Sequence, residues 1–210
     1  RMGQRIQGAF VYEPKPGLYT NIAVFDYRSL YPSIIASHNI SQGMLNCECC
    51  TGKQTLQTDR GNFWFCDKQK GFLSSTIENL IHIRAKVKQD IKQGKTDQMT
   101  LARSEALKVM ANSFYGYLGF YGAKWYFKEG AEATTAFGRQ YIHKVIDAAI
   151  QEGFVVLYSD TDSVFLLLVS LEVLLLVLSF SYLKLNSFFS LISAENKSAF
   201  LFVGLFFIAV

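Results

Sequence analysis

Hydrophobic residues along the chain follow two different spacings. Short continuous apolar runs of the length of buried strands lie near both ends of residues 1–165, at 8–12, 22–25, 154–158 and 163–165. Between them, apolar residues recur at helical spacing among charged ones, at 73–91, 99–114 and 131–151. The pattern predicts an α+β fold in which the strands are interrupted by an inserted helical segment.

Turn and loop signals separate these segments. A short polar connector at 94–97 follows the first helical stretch, so the first two helices are expected to form an antiparallel hairpin. Glycines at 116, 119 and 122 are expected to end the second helix, and Pro32 indicates a helix start within 29–37. Residues 41–71 are predicted to be loop. The last two apolar runs flank a tight acidic turn and predict a β-hairpin.

Composition separates the first 165 residues from the rest. The chain is 50% hydrophobic and 15% aromatic, enough for a sizeable core, and its net charge of +4 suits a polyanionic partner without establishing one. The polar opening has no apolar h-region, so no signal peptide is expected. Segments 164–183 and 199–210 are strongly apolar. The first is long enough to span a bilayer, although Glu172 inside it opposes insertion.

The four cysteines, Cys47, Cys49, Cys50 and Cys66, lie close together in the sequence. Reduced thiols of an intracellular protein are one interpretation. Zinc is another, because Cys47 and Cys50 have the C-x2-C spacing. Against zinc, only one further cysteine lies downstream of that pair. The sequence leaves both interpretations open.

Three carboxylates are predicted at strand ends. Asp160 and Asp162 stand two residues apart in the acidic turn, and Asp26 ends the apolar run 22–25. The turn alone is equally typical of an ordinary Asp-containing turn. With Asp26 added, the set resembles what two Mg²⁺ ions need, since hard cations prefer oxygen ligands.

The predicted helical hairpin carries cations on both members. Arg84 and Lys88 are four residues apart on the first helix, and Lys108, Asn112 and Tyr115 share one face of the second. Such faces suit a triphosphate, although solvated basic faces would have the same pattern.

Three segments resemble the sequence motifs of family B DNA polymerases. Residues 26–35, DYRSLYPSII, resemble motif A; residues 108–116, KVMANSFYG, resemble motif B; and residues 158–163, YSDTDS, resemble motif C. They occur in the family's order, and the resemblance covers about residues 8–165. The residues around the motifs are similar to those of archaeal-type members. It implies an antiparallel palm sheet with an inserted antiparallel helical-hairpin fingers subdomain.

The resemblance also implies roles for individual residues. Asp26, Asp160 and Asp162 would be catalytic and would hold two Mg²⁺ ions with the carbonyl of Tyr27. Tyr31 would exclude a ribose 2′-hydroxyl. The other nucleotide-binding residues would be Ser29, Leu30, Arg84, Lys88, Lys108, Asn112 and Tyr115, and DNA would contact Gly8, Gly116 and Tyr117. Ala9 departs from the usual Gly-Gly pair at that position, and Cys50 and Cys66 stand where some relatives carry a disulfide.

The implied domain organisation has four parts. Residues 1–72 are expected to be the first part of the palm, 73–117 the fingers, 118–165 the second part of the palm, and 166–210 an anomalous apolar tail that is not authentic polymerase sequence. The implied partners are primer-template DNA, dNTPs and, through regions outside this chain, a sliding clamp. The implied location is intracellular: cytoplasmic in an archaeon, nuclear in a eukaryote.

The reaction implied is template-directed DNA synthesis, in which dNMP passes from dNTP to a primer 3′-hydroxyl and pyrophosphate leaves. A truncated, non-catalytic remnant that binds only metal and nucleotide is the alternative. The interpretation as a membrane-anchored protein depends on the apolar tail alone, and a membrane partner is not expected. A reverse transcriptase or RNA polymerase is disfavoured, because the acidic turn is Asp-Thr-Asp rather than a pair of adjacent aspartates.

Overall fold

The computed structural model describes residues 6–50, 55–58 and 61–167. Helices and antiparallel strands are mixed, which confirms the predicted α+β class. The strands are β1 (Val11–Tyr12), β2 (Ile22–Asp26), β3 (Leu56–Thr58), β4 (Gly61–Phe63), β5 (Val155–Asp160) and β6 (Ser163–Leu167). The helices are α1 (Leu30–Ser37), α2 (Phe72–Lys92), α3 (Gln98–Gly119) and α4 (Lys128–Gln151), with short 3₁₀ turns at Gln42–Met44 and Glu48–Cys50.

The described residues fall into two compact units. One contains 6–7 and 29–137, and the other contains 8–28 and 138–167. The second unit therefore holds the larger sheet and the C-terminal part of α4. The first holds α1, α2, α3 and the small β3–β4 sheet.

The larger sheet has the strand order β1-β5-β6-β2, with every neighbouring pair antiparallel. Its two central strands are the predicted β-hairpin, and the two strands from the start of the chain lie at its edges. Residues 142–149 of α4 cover one face of this sheet. The core there contains Ile142, Val145, Ile146, Ala149, Val164 and Leu166.

The first unit is organised around α1, which packs against both α2 and α3, while α2 and α3 pack against each other. A buried amide joins the end of α1 to the start of α2. The Oδ1 of Asn39 accepts hydrogen bonds from the Gly71 amide at 2.8 Å and the Ser74 hydroxyl at 2.6 Å. Its Nδ2 donates to the carbonyls of Cys66 and Gln69. All of its polar capacity is thus used to fix these segments together.

Two local predictions need correction. Helix α3 is longer than the predicted stretch 99–114, since it runs through Gly116 and ends at Gly119. A glycine costs a helix only about 1 kcal/mol, and the burial of Leu118, which is 1% exposed, offsets that cost. Residues 41–71 are not all loop, since β3 and β4 pair within them.

The apolar segments at 164–183 and 199–210 lie mostly outside the described residues, as does the predicted tail. Residues 164–167 belong to β6, where Leu166 is buried in the core of the second unit. Within the described ranges, no helix has both the length and the apolar character needed to cross a membrane.

Candidate active site

The sheet register brings two of the predicted carboxylates to one residue. Asp26, the last residue of β2, lies opposite Ser163, the first residue of β6. Asp160, the last residue of β5, lies opposite the same Ser163 from the other side. Because directly opposed residues of an antiparallel sheet point to the same face, Asp26 and Asp160 flank Ser163 on one face. Asp162 precedes Ser163 in the turn, so the three carboxylates gather at one end of the sheet.

The turn between β5 and β6 is held by hydrogen bonds to its own residues. The amide of Asp162 donates to the carbonyl of Asp160 at 2.6 Å. The Thr161 hydroxyl donates to the Asp160 carboxylate at 2.9 Å, and the Ser163 hydroxyl to the Asp160 carbonyl at 3.2 Å. Thr161 has a φ of 54°, a left-handed conformation that a β-branched residue rarely adopts. The neighbouring contacts hold the turn in a strained shape, as is common at functional sites.

Backbone hydrogen bonds also fix this turn against both edge strands. The Tyr27 amide donates to the Asp162 carbonyl at 2.8 Å, which joins the end of β2 to the turn. The Thr161 amide donates to the Phe10 carbonyl at 3.2 Å, just before β1. The backbone that carries Asp160 and Asp162 is therefore held in place next to the end of β2.

The electrostatics of the cluster favour a bound cation. Partial burial, and after it the nearby charges of Asp26 and Asp160, together raise the pKa of Asp162 to about 6. Partial desolvation also raises the pKa of Asp26. The Tyr158 hydroxyl donates to the Asp160 carboxylate at 3.3 Å. Three close acidic groups in a partly desolvated site repel one another, and a cation would relieve that repulsion.

The predicted cationic residues lie on two consecutive helices of the first unit. Arg84 and Lys88 are half-buried on α2, whereas Lys108 and Asn112 are exposed on α3. Among the residues that the structure describes, the exposed Glu105 is the ion-pair partner of Lys108, at 3.5 Å. The structure thus leaves the Lys108 ammonium accessible to an anionic ligand.

Tyr31 on α1 and Tyr115 on α3 are in direct contact. Their ring centroids are 4.4 Å apart and the rings are tilted by 39°. Ser29, the N-cap of α1, adopts a left-handed conformation with φ 53° and ψ 50°, and its side chain does not cap the helix. These residues of the first unit belong to the nucleotide-binding set that the motifs predict.

The predicted DNA-contacting residues are exposed in both units. Gly116 and Tyr117 are exposed near the end of α3, and a side chain built at Gly116 would meet nothing within 4 Å. Gly8 is also exposed, and its carbonyl accepts a hydrogen bond from Arg139 at 2.7 Å. The motifs did not indicate Arg139. Its hydrogen bond to Gly8, 131 positions away in the sequence, is what places Arg139 beside a predicted DNA-contacting residue.

The structure brings together more of the cysteines than the C-x2-C pattern at Cys47 and Cys50 indicates. Cys50 and Cys66 are free thiols whose sulfurs are 3.9 Å apart, so the disulfide that the resemblance implies stays a prediction. Cys49, which the C-x2-C pattern does not include, lies 3.6 Å from Cys66. Only the fold could have revealed this, because residues 61–66 must first return to the 47–50 turn.

Comparison with known proteins agrees with the motifs. The family model for DNA polymerase family B matches residues 1–174, a longer span than the 8–165 covered by the resemblance. DNA polymerase 1 of Pyrococcus abyssi is 42% identical over 168 residues, which cover 79% of this chain and 22% of that protein. The DNA polymerase of Thermococcus sp. (strain 9oN-7) is 43% identical over 159 residues, 74% of this chain and 20% of that protein.

A solved structure gives the same result. The family B DNA polymerase from the hyperthermophilic archaeon Pyrobaculum calidifontis is 35% identical and has a TM-score of 0.64, covering 88% of this chain and 25% of that one. The chain spans about a fifth of the length of the curated relatives named above. Since a family model matches most of its residues, the chain belongs to DNA polymerase family B.

Proposed function

We propose that the chain carries the nucleotidyl-transfer site of a template-directed DNA polymerase. A primer 3′-hydroxyl attacks the α-phosphorus of a dNTP, and pyrophosphate leaves. The observation that carries the proposal is the placement of Asp26 and Asp160 on either side of Ser163, with Asp162 in the adjoining turn.

The donor set fits two Mg²⁺ ions. Asp26 and Asp162 would be the principal ligands, with Asp160 beside them and the Tyr27 carbonyl assisting. The raised pKa of Asp162, caused by burial and by its acidic neighbours, supports a site that is completed by positive charge. When bound, the two ions would supply activation of the attacking oxygen and stabilisation of the leaving group. The carboxylates of this chain would hold them.

The start of α1 suits the phosphates and sugar of the incoming nucleotide. Amides in the first turn of a helix have no intrahelical acceptor, and a helix N-terminus attracts anions. The backbone at Ser29 and Leu30 would therefore hold triphosphate oxygens. Tyr31, half-buried against Tyr115, would lie under the deoxyribose and exclude a 2′-hydroxyl.

Helices α2 and α3 would form the fingers and grip the triphosphate. The exposed Lys108 supplies a mobile point charge, Arg84 can make bidentate contacts, and Lys88 and Asn112 add further donors. Tyr115 and Gly116 would lie by the nascent base pair, and Gly8 and Tyr117 by the DNA. The space at Gly116 supports a close approach of a ligand there.

The four-stranded sheet and the adjoining part of α4 would form the palm. The boundaries 1–72, 73–117 and 118–165 for palm, fingers and palm are part of this proposal. Base pairing with the template selects the nucleotide, so catalysis requires positioning and charge stabilisation rather than base-specific side chains.

Primer extension by the full chain with Mg²⁺ and dNTPs tests the proposal. We expect Asp162→Asn to abolish extension. Asp147→Asn changes an exposed carboxylate on α4, outside the cluster, and should leave extension unaltered. Extension that is measurable and equal in the two variants would overturn the assignment of the site.

If the chain does not extend primers, a second measurement tests whether the site still binds its ligands. Binding of Mg²⁺ and dNTP is followed by calorimetry for the same two variants. Binding that is lost only in Asp162→Asn would support a non-catalytic remnant that keeps the site. Binding that both variants retain would reject the metal assignment as well.

A further inference from the structure

All four cysteines of the chain converge on one point of the first unit. The sulfur atoms of Cys47, Cys49, Cys50 and Cys66 all lie within 4.8 Å of one another. Cys50 and Cys66 are buried, Cys47 is half-buried and Cys49 is exposed. A chain with exactly four cysteines therefore brings every one of them into a single cluster.

The spacing of the sulfurs matches a tetrahedral metal site. The Cys49 sulfur lies 3.7 Å from that of Cys50 and 3.6 Å from that of Cys66, and the Cys50 and Cys66 sulfurs are 3.9 Å apart. Zinc–sulfur bonds of about 2.3 Å place the sulfurs of a tetrahedral site roughly 3.8 Å apart. A disulfide requires about 2.05 Å. The three separations thus agree with the edges of a zinc–thiolate tetrahedron.

The two segments that supply the sulfurs are fixed by hydrogen bonds outside the cluster. The Trp64 indole donates to the Cys47 carbonyl at 3.0 Å, and the Asn46 amide donates to the Trp64 carbonyl at 2.8 Å. The Cys66 backbone amide donates to the Met44 carbonyl at 2.9 Å. The Cys66 carbonyl accepts from the side-chain amide of the buried Asn39 at 2.6 Å. Since these bonds are made by backbone groups, an indole and a side-chain amide, they hold the two segments in place without using any thiol.

We propose that Cys47, Cys49, Cys50 and Cys66 bind one zinc ion in a structural site of the first unit. Four thiolates favour a soft, tetrahedral metal, and a site with four protein ligands leaves no position open for a substrate. On binding, four thiol protons are released to solvent and four sulfur–zinc bonds form, without any change of oxidation state. The ion would join the 47–50 turn to residue 66.

One existing contact must change when the metal binds. The Cys50 thiol donates to the Asp67 carboxylate at 2.9 Å. Loss of that proton removes the hydrogen bond and places a thiolate beside a carboxylate, so Asp67 turns towards solvent. Replacing it by Asn removes the charge repulsion and should strengthen metal binding.

The first experiment measures metal binding by the full chain. Reduced, metal-free protein is titrated with Co²⁺ under anaerobic conditions and then with Zn²⁺. We expect sulfur-to-cobalt charge-transfer absorption and the strong ligand-field bands of a tetrahedral thiolate site, saturating at one Co²⁺ per four thiols. Co²⁺ held by carboxylates gives no such charge-transfer band. Zn²⁺ should displace the cobalt and protect all four thiols from a thiol reagent until a chelator is added. A titration without charge-transfer absorption would overturn the proposal.

Matched variants separate the site from general effects. Cys49 is exposed, so Cys49→Ser removes a ligand without creating a cavity in the core. It should lower zinc affinity by at least the ~10–100-fold that loss of a supporting partner alone costs. Glu48→Gln alters the exposed neighbouring residue and should bind zinc like the wild type. Equal zinc affinity in the two variants would contradict the proposal.

The rival arrangement is a disulfide between Cys50 and Cys66. Intact mass after purification without reductant distinguishes the two, because a disulfide removes two hydrogens and a zinc site removes none from the denatured chain. A chain with that disulfide and no bound zinc would overturn the proposal. None of these measurements depends on polymerase activity, so the zinc site and the proposed function can fail separately.

Discussion

The rings of Tyr31 and Tyr115 lie 4.4 Å apart, although the two residues belong to different helices and different sequence motifs. The contact joins α1 to α3 within the first unit and places the Tyr115 ring against the Tyr31 ring. An aromatic side chain held in this way can act as a rigid wall. Its removal should change which sugars fit beside it.

Tyr31→Val should increase the use of ribonucleotides. Removing the ring opens space at the 2′-position, and we expect the preference for dNTP over rNTP to fall on the order of 10–100-fold. Tyr31→Phe retains the ring and should keep the preference. Competing incorporation of labelled dATP and ATP measures this ratio. A preference that is unaltered in the valine variant would exclude Tyr31 as the sugar selector.

Asp162 should make the metal-free protein less stable as pH rises from about 4 to about 6. Its pKa is raised from 3.8 to about 6 in the folded state by burial and by Asp26 and Asp160, so the folded chain binds more protons than the unfolded chain in this interval. The stabilisation is complete below the unfolded pKa and is lost as pH rises through the folded one. Asp162→Asn should flatten this part of the curve in urea-unfolding measurements.

Magnesium should reverse that trend. Since Mg²⁺ binds the deprotonated carboxylates, it should raise the melting temperature more at pH 7.5 than at pH 5. Scanning calorimetry with and without Mg²⁺ measures the difference. An equal rise in melting temperature at both pH values would count against the carboxylate cluster as the binding site. So would a rise in Asp162→Asn as large as that of the wild type.

Ile142 should contribute strongly to the stability of the second unit. It is 0% exposed in the core beneath the β5–β6 hairpin, and truncation of a buried isoleucine to alanine typically costs 2–5 kcal/mol, so we expect roughly that loss for Ile142→Ala. Ile150 on the same helix is 54% exposed, and Ile150→Ala provides the control. Urea unfolding compares their free energies of unfolding. Similar losses in both variants would contradict the assigned core.

Asp97 should stabilise the start of α3 in a pH-dependent manner. Its carboxylate accepts hydrogen bonds from the Thr100 amide at 2.9 Å and the Thr100 hydroxyl at 2.5 Å, and these bonds lower its pKa. The contribution is therefore present above the unfolded pKa of 3.8 and lost as pH falls through the lower folded value. Asp97→Ala should lower the melting temperature at pH 7 more than Asp90→Ala does, since the Asp90 carboxylate forms an exposed ion pair with Lys95 and exposed pairs contribute little.

The sequence predicted those features that depend on neighbouring residues. Helices α2 and α4 and the β5–β6 hairpin follow from local periodicity, and the aspartates follow from their places at strand ends. The register that puts Asp26 and Asp160 opposite one serine did not follow, because it depends on pairing between distant strands. The length of α3 was also missed, since burial of Leu118 outweighs the local effect of two glycines.

The cysteine cluster shows the same limit. The C-x2-C pattern indicates Cys47 and Cys50 but passes over Cys49, whose sulfur is brought to Cys66 by the return of residues 61–66 to the 47–50 turn. The spacing of residues in a sequence can indicate metal ligands that lie on one loop. It does not describe ligands assembled from two.

The strand order of the larger sheet determines when the carboxylates can meet during synthesis on a ribosome. Strands β1 and β2 are made early but do not pair with each other, because β5 and β6 lie between them. Until the hairpin has emerged from the exit tunnel, both early strands lack their partners, and such delayed long-range pairing is slow and exposes unpaired edges. The nascent chain therefore acquires Asp26 long before it can assemble the cluster.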